Sequence, residues 1–209
     1  MRLINTLLLL IFLRCGDKTE VLPYYMTPDF MPHFISNKEE ALGKINHTIS
    51  DFNVFDQNNL LITQGYIEGK IHVANFMFTK CTSICPIMTN HLKIVEKAYF
   101  NHKEVSILSF SVTPWADSIP ALKSFANSYG IKSKNWHLLS GKTEEIYELA
   151  RKSYFAEKEL GFTKDSTDFL HTEHVLLVDR TKRIRGIYNA TLKLDMKQLK
   201  EDISNLLDK

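Results

Sequence analysis

Residues 70–88, K-I-H-V-A-N-F-M-F-T-K-C-T-S-I-C-P-I-M, place two cysteines directly after a β-branched and aromatic run. The run over 70–79 follows Gly69 and ends at the cysteines, a pattern typical of a buried strand. From Pro86 to Tyr99 the apolar residues recur at helical spacings. This order of strand, cysteine loop and helix predicts that the cysteine pair lies where a helix begins.

Strands and helices alternate along the rest of the chain. The patterns predict a hairpin over 53–55 and 60–63, a strand over 105–112, helices over 119–129 and 143–155, a hairpin over 174–179 and 183–188, and a closing helix over 194–207. Gly130 stands where a C-terminal glycine would stop the helix before it. The order predicts an α/β, thioredoxin-like fold with a mixed central sheet flanked by helices and an N-terminal hairpin.

Length and composition indicate one globular domain with a lead segment. The chain has 209 residues, 44% of them hydrophobic and 24% charged, which is ordinary for a globular protein. Apart from Arg2 and Arg14, it carries 24 basic and 24 acidic side chains. A neutral chain without a basic run lacks the electrostatic footprint of a nucleic-acid-binding protein. We therefore expect no nucleic-acid partner.

Residues 1–15, M-R-L-I-N-T-L-L-L-L-I-F-L-R-C, have the pattern of a short secretory signal. The apolar stretch from Leu7 to Leu13 is well below the ~20 residues that a membrane-spanning helix requires. A cysteine directly after it resembles a bacterial lipoprotein signal, in which the cysteine is acylated. Arg14 departs from the small residue preferred before that cysteine, so the alternative is an uncleaved anchor with an incidental Cys15. We expect export to the bacterial cell envelope, on the periplasmic side of the membrane, with lipid at Cys15.

Residues 16–45 carry no sustained period of 3.6 or 2. Three prolines, Pro23, Pro28 and Pro32, interrupt the segment. We interpret it as a tether that partly docks on the body, and we place the domain itself at 46–209.

The cysteine pair has two possible chemical roles. Near a helix N-terminus, unpaired N–H groups and the helix dipole favour a thiolate over a thiol. If the loop continues helix-like from Cys81 to Cys85, both sulfurs lie on one face, where they can close as a disulfide or hold a soft metal. The alternative, two cysteines that merely fill a core, is disfavoured because polar residues such as Thr79 and Lys80 flank the pair.

Four segments together resemble the Sco/SenC family of copper chaperones. They are V-A-N-F-M-F-T-K-C-T-S-I-C-P-I-M-T at 73–89, S-F-S-V-T-P-W-A-D at 109–117, W-H-L-L-S-G at 136–141 and F-L-H-T-E-H-V-L-L-V-D at 169–179. The resemblance covers roughly 45–209 and implies a thioredoxin-like fold and a role in assembling the dinuclear copper centre of cytochrome c oxidase. One departure is Thr113, where many family members have Asp.

The resemblance implies that Cys81, Cys85 and His171 bind copper. Two thiolates and an imidazole form a soft, low-coordinate set that suits Cu(I), whereas zinc normally takes a fourth ligand. Cu(II) would be held by the same three groups with a fourth from water or backbone. The implied partner is the copper-bearing subunit of the oxidase, with another copper chaperone or a thioredoxin-like reductant as further candidates. We expect one copper per chain.

Two functions remain open at this stage. One is a metallochaperone, which is not a turnover enzyme. The other is a thiol–disulfide oxidoreductase of the cell envelope that uses Cys81 and Cys85 as a redox pair without stable metal. A distal histidine favours the metal. Of the two nearby histidines, His174 begins a strand pattern, whereas His171 precedes it; their odd spacing points the two side chains to opposite faces of an extended segment. We favour His171 as the ligand.

Overall fold

The computed structural model describes residues 21–156 and 172–208. Its elements are α1 (Lys38–Lys44), β1 (Asn53–Asp56), β2 (Leu61–Thr63), α2 (Gln64–Ile67), β3 (Ile71–Met77), α3 (Ile84–Ala98), β4 (Val105–Ser111), α4 (Ile119–Ser128), β5 (Trp136–Ser140), α5 (Thr143–Glu148), a π-helical turn (Leu149–Ser153), β6 (His174–Val178), β7 (Ile184–Asn189) and α6 (Lys193–Leu207). None of the helices in these two ranges is long and apolar enough to cross a membrane.

Seven strands form one mixed sheet in the order β2-β1-β5-β4-β3-β6-β7. The central strands β3, β4 and β5 are parallel, and β6 pairs antiparallel with β3. All seven residues of β3 and all seven of β4 are buried, as expected for strands covered on both faces. The mixed sheet and the N-terminal hairpin of β1 and β2 confirm the predicted fold class.

Helices cover both faces of the sheet. On the first face, α3, α4 and α6 pack in one core cluster with Val73 and Met77 of β3. On the second face, α2, α5 and the π-helical turn pack with Ala74 and Phe76 of the same strand. This alternation is the period-two direction of side chains along a strand. Cys81 and Cys85 belong to the first-face cluster.

Three sequence-based expectations differ from the structure. Helix α3 begins at Ile84, two residues before the predicted start, so Cys85 lies inside it. Strand β5 was not predicted, because its hydrogen-bonding partners β4 and β1 are distant in sequence. The helix predicted over 143–155 changes at Leu149 to π-helical geometry and ends at Ser153, and Phe155 beyond it has φ 50°.

The structure describes residues 21–45 of the predicted tether. This segment contains α1 and contacts strand β7. The guanidinium of Arg185 donates to the carbonyl oxygens of Pro23 (3.0 Å) and Leu22 (2.6 Å). It also lies 3.7 Å from the ring centroid of Tyr24. These contacts fix the segment against the edge of the sheet.

His72 of β3 is fully buried on the second face. Its Nε2 lies 2.9 Å from the Oη of Tyr154, and its Nδ1 has no hydrogen-bond partner in residues 21–156 or 172–208. Burial lowers the pKa of His72 to about 3. In the unfolded chain its pKa returns to about 6.5. Below that value the unfolded state binds one more proton than the folded state, so folding stability falls as the pH falls.

We expect His72→Gln to flatten this pH dependence. Glutamine retains a polar partner for Tyr154 but does not titrate. Between about pH 6 and 4 the parent protein should lose up to about 1.4 kcal/mol of unfolding free energy per pH unit through this one group. Urea denaturation across this range measures the slope. His102→Gln, at an exposed position, is the matched control, and equal slopes in parent and His72→Gln would contradict the assignment.

Candidate metal centre

The two predicted cysteine ligands meet where β3 leads into α3. Cys81 lies in the connecting loop, and Cys85 is the second residue of the helix. The backbone N–H of Cys85 donates to Sγ of Cys81 at 3.5 Å. The helix begins at Ile84 and does not extend back to Cys81, so the condition under which the sequence analysis placed both sulfurs on one helix face is not met. Instead, the thiol satisfies a free N–H of the first turn, a task usually performed by an N-cap side chain, while Ser83 makes no such bond.

The two thiols have opposite acidities. Burial opposes ionisation of Cys81, but hydrogen bonds from Cys85 and from the backbone of Ser83 and Ile84 outweigh it and lower its pKa. Burial, and to a smaller extent the neighbouring Cys81, together raise the pKa of Cys85 to about 12. Both are free thiols in the structure. Cys81 is thus the thiol that ionises first, and Cys85 keeps its proton until a metal or a disulfide bond replaces it.

The pair has a soft, apolar surrounding. Cys81 and Cys85 are 8% and 4% exposed, and the first-face cluster around them includes Met77 and Met88. Thiolates select soft ions such as Cu(I) over hard cations. Within residues 21–156 and 172–208, no group of three His, Cys, Asp or Glu side chains is placed to hold a metal. The described residues contain two of the three predicted ligands, Cys81 and Cys85.

His171, the predicted third ligand, lies outside the described residues, and the described chain resumes at Thr172. Thr172 is buried, and its Oγ1 accepts from the N–H of His174 at 3.1 Å. The carbonyl of Glu173 accepts from the N–H of Ala190. The carbonyl of Ala190 in turn lies 2.9 Å from Nδ1 of His91 in α3. The residues that follow position 171 are therefore linked to the helix that carries Cys85.

His174 lies on the other face of the sheet. It opens β6 opposite Asn189, and its ring lies 6.2 Å from the ring of Phe30. Along β6, Leu176 packs in the second-face cluster, so strand alternation directs His174 to that face as well. The cysteines lie on the first face.

Asp117 anchors the loop that leads to Cys81, a role that the sequence analysis missed. Its buried carboxylate accepts from the N–H (3.1 Å) and Oγ1 (2.6 Å) of Thr79. It also accepts from the hydroxyls of Ser111 (2.6 Å) and Thr113 (3.0 Å). Thr113, the departure from the family pattern, is thus one of its donors. In the sequence, the only indication of this role was the position of Asp117, an acidic residue four positions after Thr113.

A mixed sheet covered by helices, with a dithiol where a central parallel strand passes into a helix, defines a thioredoxin-like protein. Residues 40–208 match the model of the SCO1/SenC family. The chain belongs to this family, a family of cytochrome c oxidase assembly proteins.

Three solved structures are similar over nearly the whole described chain. A SCO1/SenC family lipoprotein from Bacillus anthracis has TM-score 0.68 and 25% identity, covering 78% of this chain and 96% of that one. BsSco, a Sco family cytochrome c oxidase assembly protein with a disulfide switch, has TM-score 0.64 and 30% identity, covering 78% and 94%. Copper-bound ScoI of Bradyrhizobium japonicum has TM-score 0.60 and 25% identity, covering 76% and 99%.

Proposed function

We propose that this chain is a metallochaperone that binds one copper ion through Cys81, Cys85 and His171. Its target is the dinuclear copper site in the copper-bearing subunit of cytochrome c oxidase. The observation that carries the proposal is the bond between Cys81 Sγ and the N–H of Cys85, which brings two soft donors together at a helix N-terminus. The copper bound to the related ScoI of Bradyrhizobium japonicum supports it.

The rim around the cysteine pair suits transfer to another protein. Ile87, two residues beyond Cys85, is 44% exposed, and Trp115, in the loop that Asp117 closes, is 58% exposed. Apolar side chains next to a functional site commonly mark a protein contact. The rim also has the exposed Lys80, Thr82 and Ser83. A partner that covers this rim would take copper without releasing it to water.

His171→Ala separates the two histidine assignments. We expect it to weaken Cu(II) binding by about 10-fold to 100-fold and to shift the thiolate-to-copper charge-transfer bands, because a ligand is lost while both sulfurs remain. His174→Ala, on the opposite face of β6, should leave those bands nearly unchanged. Anaerobic titration of the reduced protein with copper, followed by absorption spectroscopy, measures both. The reverse pattern would move the third ligand to His174.

A second function, thiol–disulfide exchange, is favoured by the opposite acidities of the two cysteines. The Cys81 thiolate would attack a disulfide of the oxidase subunit and form a mixed disulfide. The thiol of Cys85, after losing its proton, would then displace the partner's second sulfur. The partner leaves as a dithiol, and Cys81 and Cys85 are oxidised to a disulfide. BsSco, with its disulfide switch, supports this chemistry.

The same variant distinguishes the two functions. Reduction needs only the two sulfurs, whereas copper transfer needs the third ligand. If His171→Ala reduces an oxidised oxidase subunit at the parent rate but no longer transfers copper to the reduced subunit, the protein has both functions. If parent copper-loaded protein leaves the reduced subunit without copper, the metallochaperone function is wrong and reduction remains.

We also propose that residues 1–15 direct export and that Cys15 is acylated, so that residues 16–45 tether the domain at 46–209 to the periplasmic side of the membrane. The related lipoprotein of Bacillus anthracis supports this arrangement. Mass spectrometry of the mature N-terminus tests it. An unmodified Cys15 behind an intact Arg14 would replace the lipoprotein with an uncleaved anchor.

A further inference from the structure

Four lysines cluster at the end of the sheet that lies opposite the cysteine pair. Strands β3, β4 and β5 all begin at this end, and the cysteine loop follows the far end of β3. Lys97 lies in the last turn of α3, Lys103 precedes β4, and Lys132 and Lys134 precede β5. All four are exposed. We call these four lysines the basic end.

Hydrogen bonds hold the two loops of the basic end together. The N–H of Asn101 donates to Oγ of Ser133 at 3.1 Å, and the N–H of Lys134 donates to Oδ1 of Asn101 at 2.7 Å. Nδ2 of Asn135 donates to the carbonyl of Val105 at 2.6 Å. The lysines therefore extend from an ordered platform, and their relative positions are fixed by the fold.

The positive charge of the basic end is not neutralised locally. Within residues 21–156 and 172–208, none of the four lysines forms an ion pair. The carboxylates near this end include Glu68, which precedes β3, and Glu96, Glu104, Glu201 and Asp208. Three of them are paired, Glu96 with Lys93, Glu104 with Arg180 and Glu201 with Lys200. In a chain whose charge is only +2 overall, this is a local excess of cations.

An exposed aromatic side chain accompanies the lysines. Phe100 lies between Lys97 and Lys103 in the chain and is 53% exposed. Exposed lysines together with an exposed aromatic ring have the composition of a surface that binds anionic membranes. The lysines attract lipid phosphates, and the ring enters the boundary between headgroups and acyl chains.

The described chain begins at the same end. A cavity of about 480 Å³ is lined by Val21, Arg180 and Leu206 among others. Arg180 lies 3.6 Å from Glu104, the residue after Lys103. At about 3.5 Å per residue, the chain from Cys15 to Val21 spans at most about 21 Å. If Cys15 is held in a membrane, the basic end lies within reach of the lipid headgroups.

We propose that the basic end docks on an anionic lipid surface. This contact would direct the opposite end of β3, about 20 Å away along seven residues, toward the aqueous side. The cysteine pair and its apolar rim would then face a partner protein and not the membrane. The lysines and Phe100 are observed in the structure and do not depend on the copper proposal. Only the argument that the basic end lies close to the membrane rests on the proposed anchor at Cys15.

Vesicle binding of the full chain tests this inference. The probes are phosphatidylcholine vesicles with and without one third phosphatidylglycerol. The apolar contribution of the lead segment is common to both, and its Arg2 and Arg14 are common to all the lysine variants. Replacing all four lysines of the basic end by glutamine should reduce the affinity for the anionic vesicles by at least about 100-fold, since each lysine near such a surface contributes about five-fold. Raising the salt should abolish the difference.

A matched control separates location from net charge. Glutamine at Lys142, Lys152, Lys193 and Lys197, which are exposed and lie elsewhere, makes the same change in charge. We expect it to retain most of the affinity, and Phe100→Ser to lower affinity without altering the salt dependence. Equal losses in both quadruple variants would overturn the inference. So would unchanged vesicle binding combined with lysine-dependent binding of polyglutamate, which would assign the basic end to an acidic protein.

Copper titration of the same variants keeps the two proposals apart. The basic end is far from the cysteine pair, so its quadruple variant should bind copper as the parent does. Loss of vesicle binding with intact copper binding supports the lipid surface, and failure of vesicle binding in the parent overturns it without affecting the metal site.

Discussion

Replacing both Cys81 and Cys85 by serine is expected to abolish stoichiometric Cu(I) binding. A hydroxyl is a poor ligand for a soft ion. Four-ligand zinc sites bind with about 10–16 kcal/mol, so each ligand contributes about 3 kcal/mol, or about 100-fold in affinity. Loss of both thiolates should therefore weaken binding by about 10,000-fold. A competition titration with a Cu(I) chelator under anaerobic conditions measures the change.

The third cysteine provides the control for this experiment. Cys15→Ser makes the same chemical change outside the proposed site and should leave the Cu(I) affinity as it is. The double variant should remain folded, because serine is close to cysteine in size and its hydroxyl at position 81 can accept from the N–H of residue 85 in place of the sulfur; circular dichroism checks this. A folded double variant that still binds one tight Cu(I) would show that the cysteine pair is not the site.

The second large effect is expected at Asp117. Asp117→Asn removes the charge that four donors share and replaces one acceptor oxygen by a donor group that points at hydroxyls. Hydrogen bonds to a charged group contribute about 1.5–3 kcal/mol each, and a buried unsatisfied group costs about 1–3 kcal/mol. We expect the unfolding free energy to fall by about 2–4 kcal/mol, as measured by urea denaturation.

Copper binding should also weaken in Asp117→Asn, because Thr79 fixes the loop two residues before Cys81. Amide hydrogen exchange in residues 79–83 should rise more than in the strands. Asp51→Asn, at an exposed carboxylate, is the matched control. If the two substitutions destabilise the protein equally and leave exchange in this loop unchanged, Asp117 does not position the site.

The fold was predictable where the signal is local. The β-branched and aromatic run over 71–77 predicts a buried strand, and in the structure both of its faces are covered. The helix after it was predicted from the helical spacing of its apolar residues. Strand β5, Trp136–Ser140, has only five residues, and its hydrogen-bonding partners lie far away in sequence. The start of α3 was placed two residues late because the group that caps it is the thiol of Cys81, which no capping preference anticipates.

The candidate site was predictable in part for the same reason. The spacing of Cys81 and Cys85 identifies the pair, but their unequal acidity depends on how deeply each is buried. The role of Asp117 was not assigned from sequence because its donors lie at the ends of two strands: Thr79 follows β3, Ser111 ends β4 and Thr113 follows β4. Only pairing of β3 with β4 brings Thr79 and Ser111 to the same carboxylate.

X-ray absorption spectroscopy of the full chain loaded with one Cu(I) tests the central claim most directly. The account predicts a low-coordinate shell of two sulfurs and one imidazole nitrogen, with the nitrogen lost in His171→Ala and retained in His174→Ala. A shell without sulfur, or one that His171→Ala leaves unchanged, would contradict a copper site made by Cys81, Cys85 and His171.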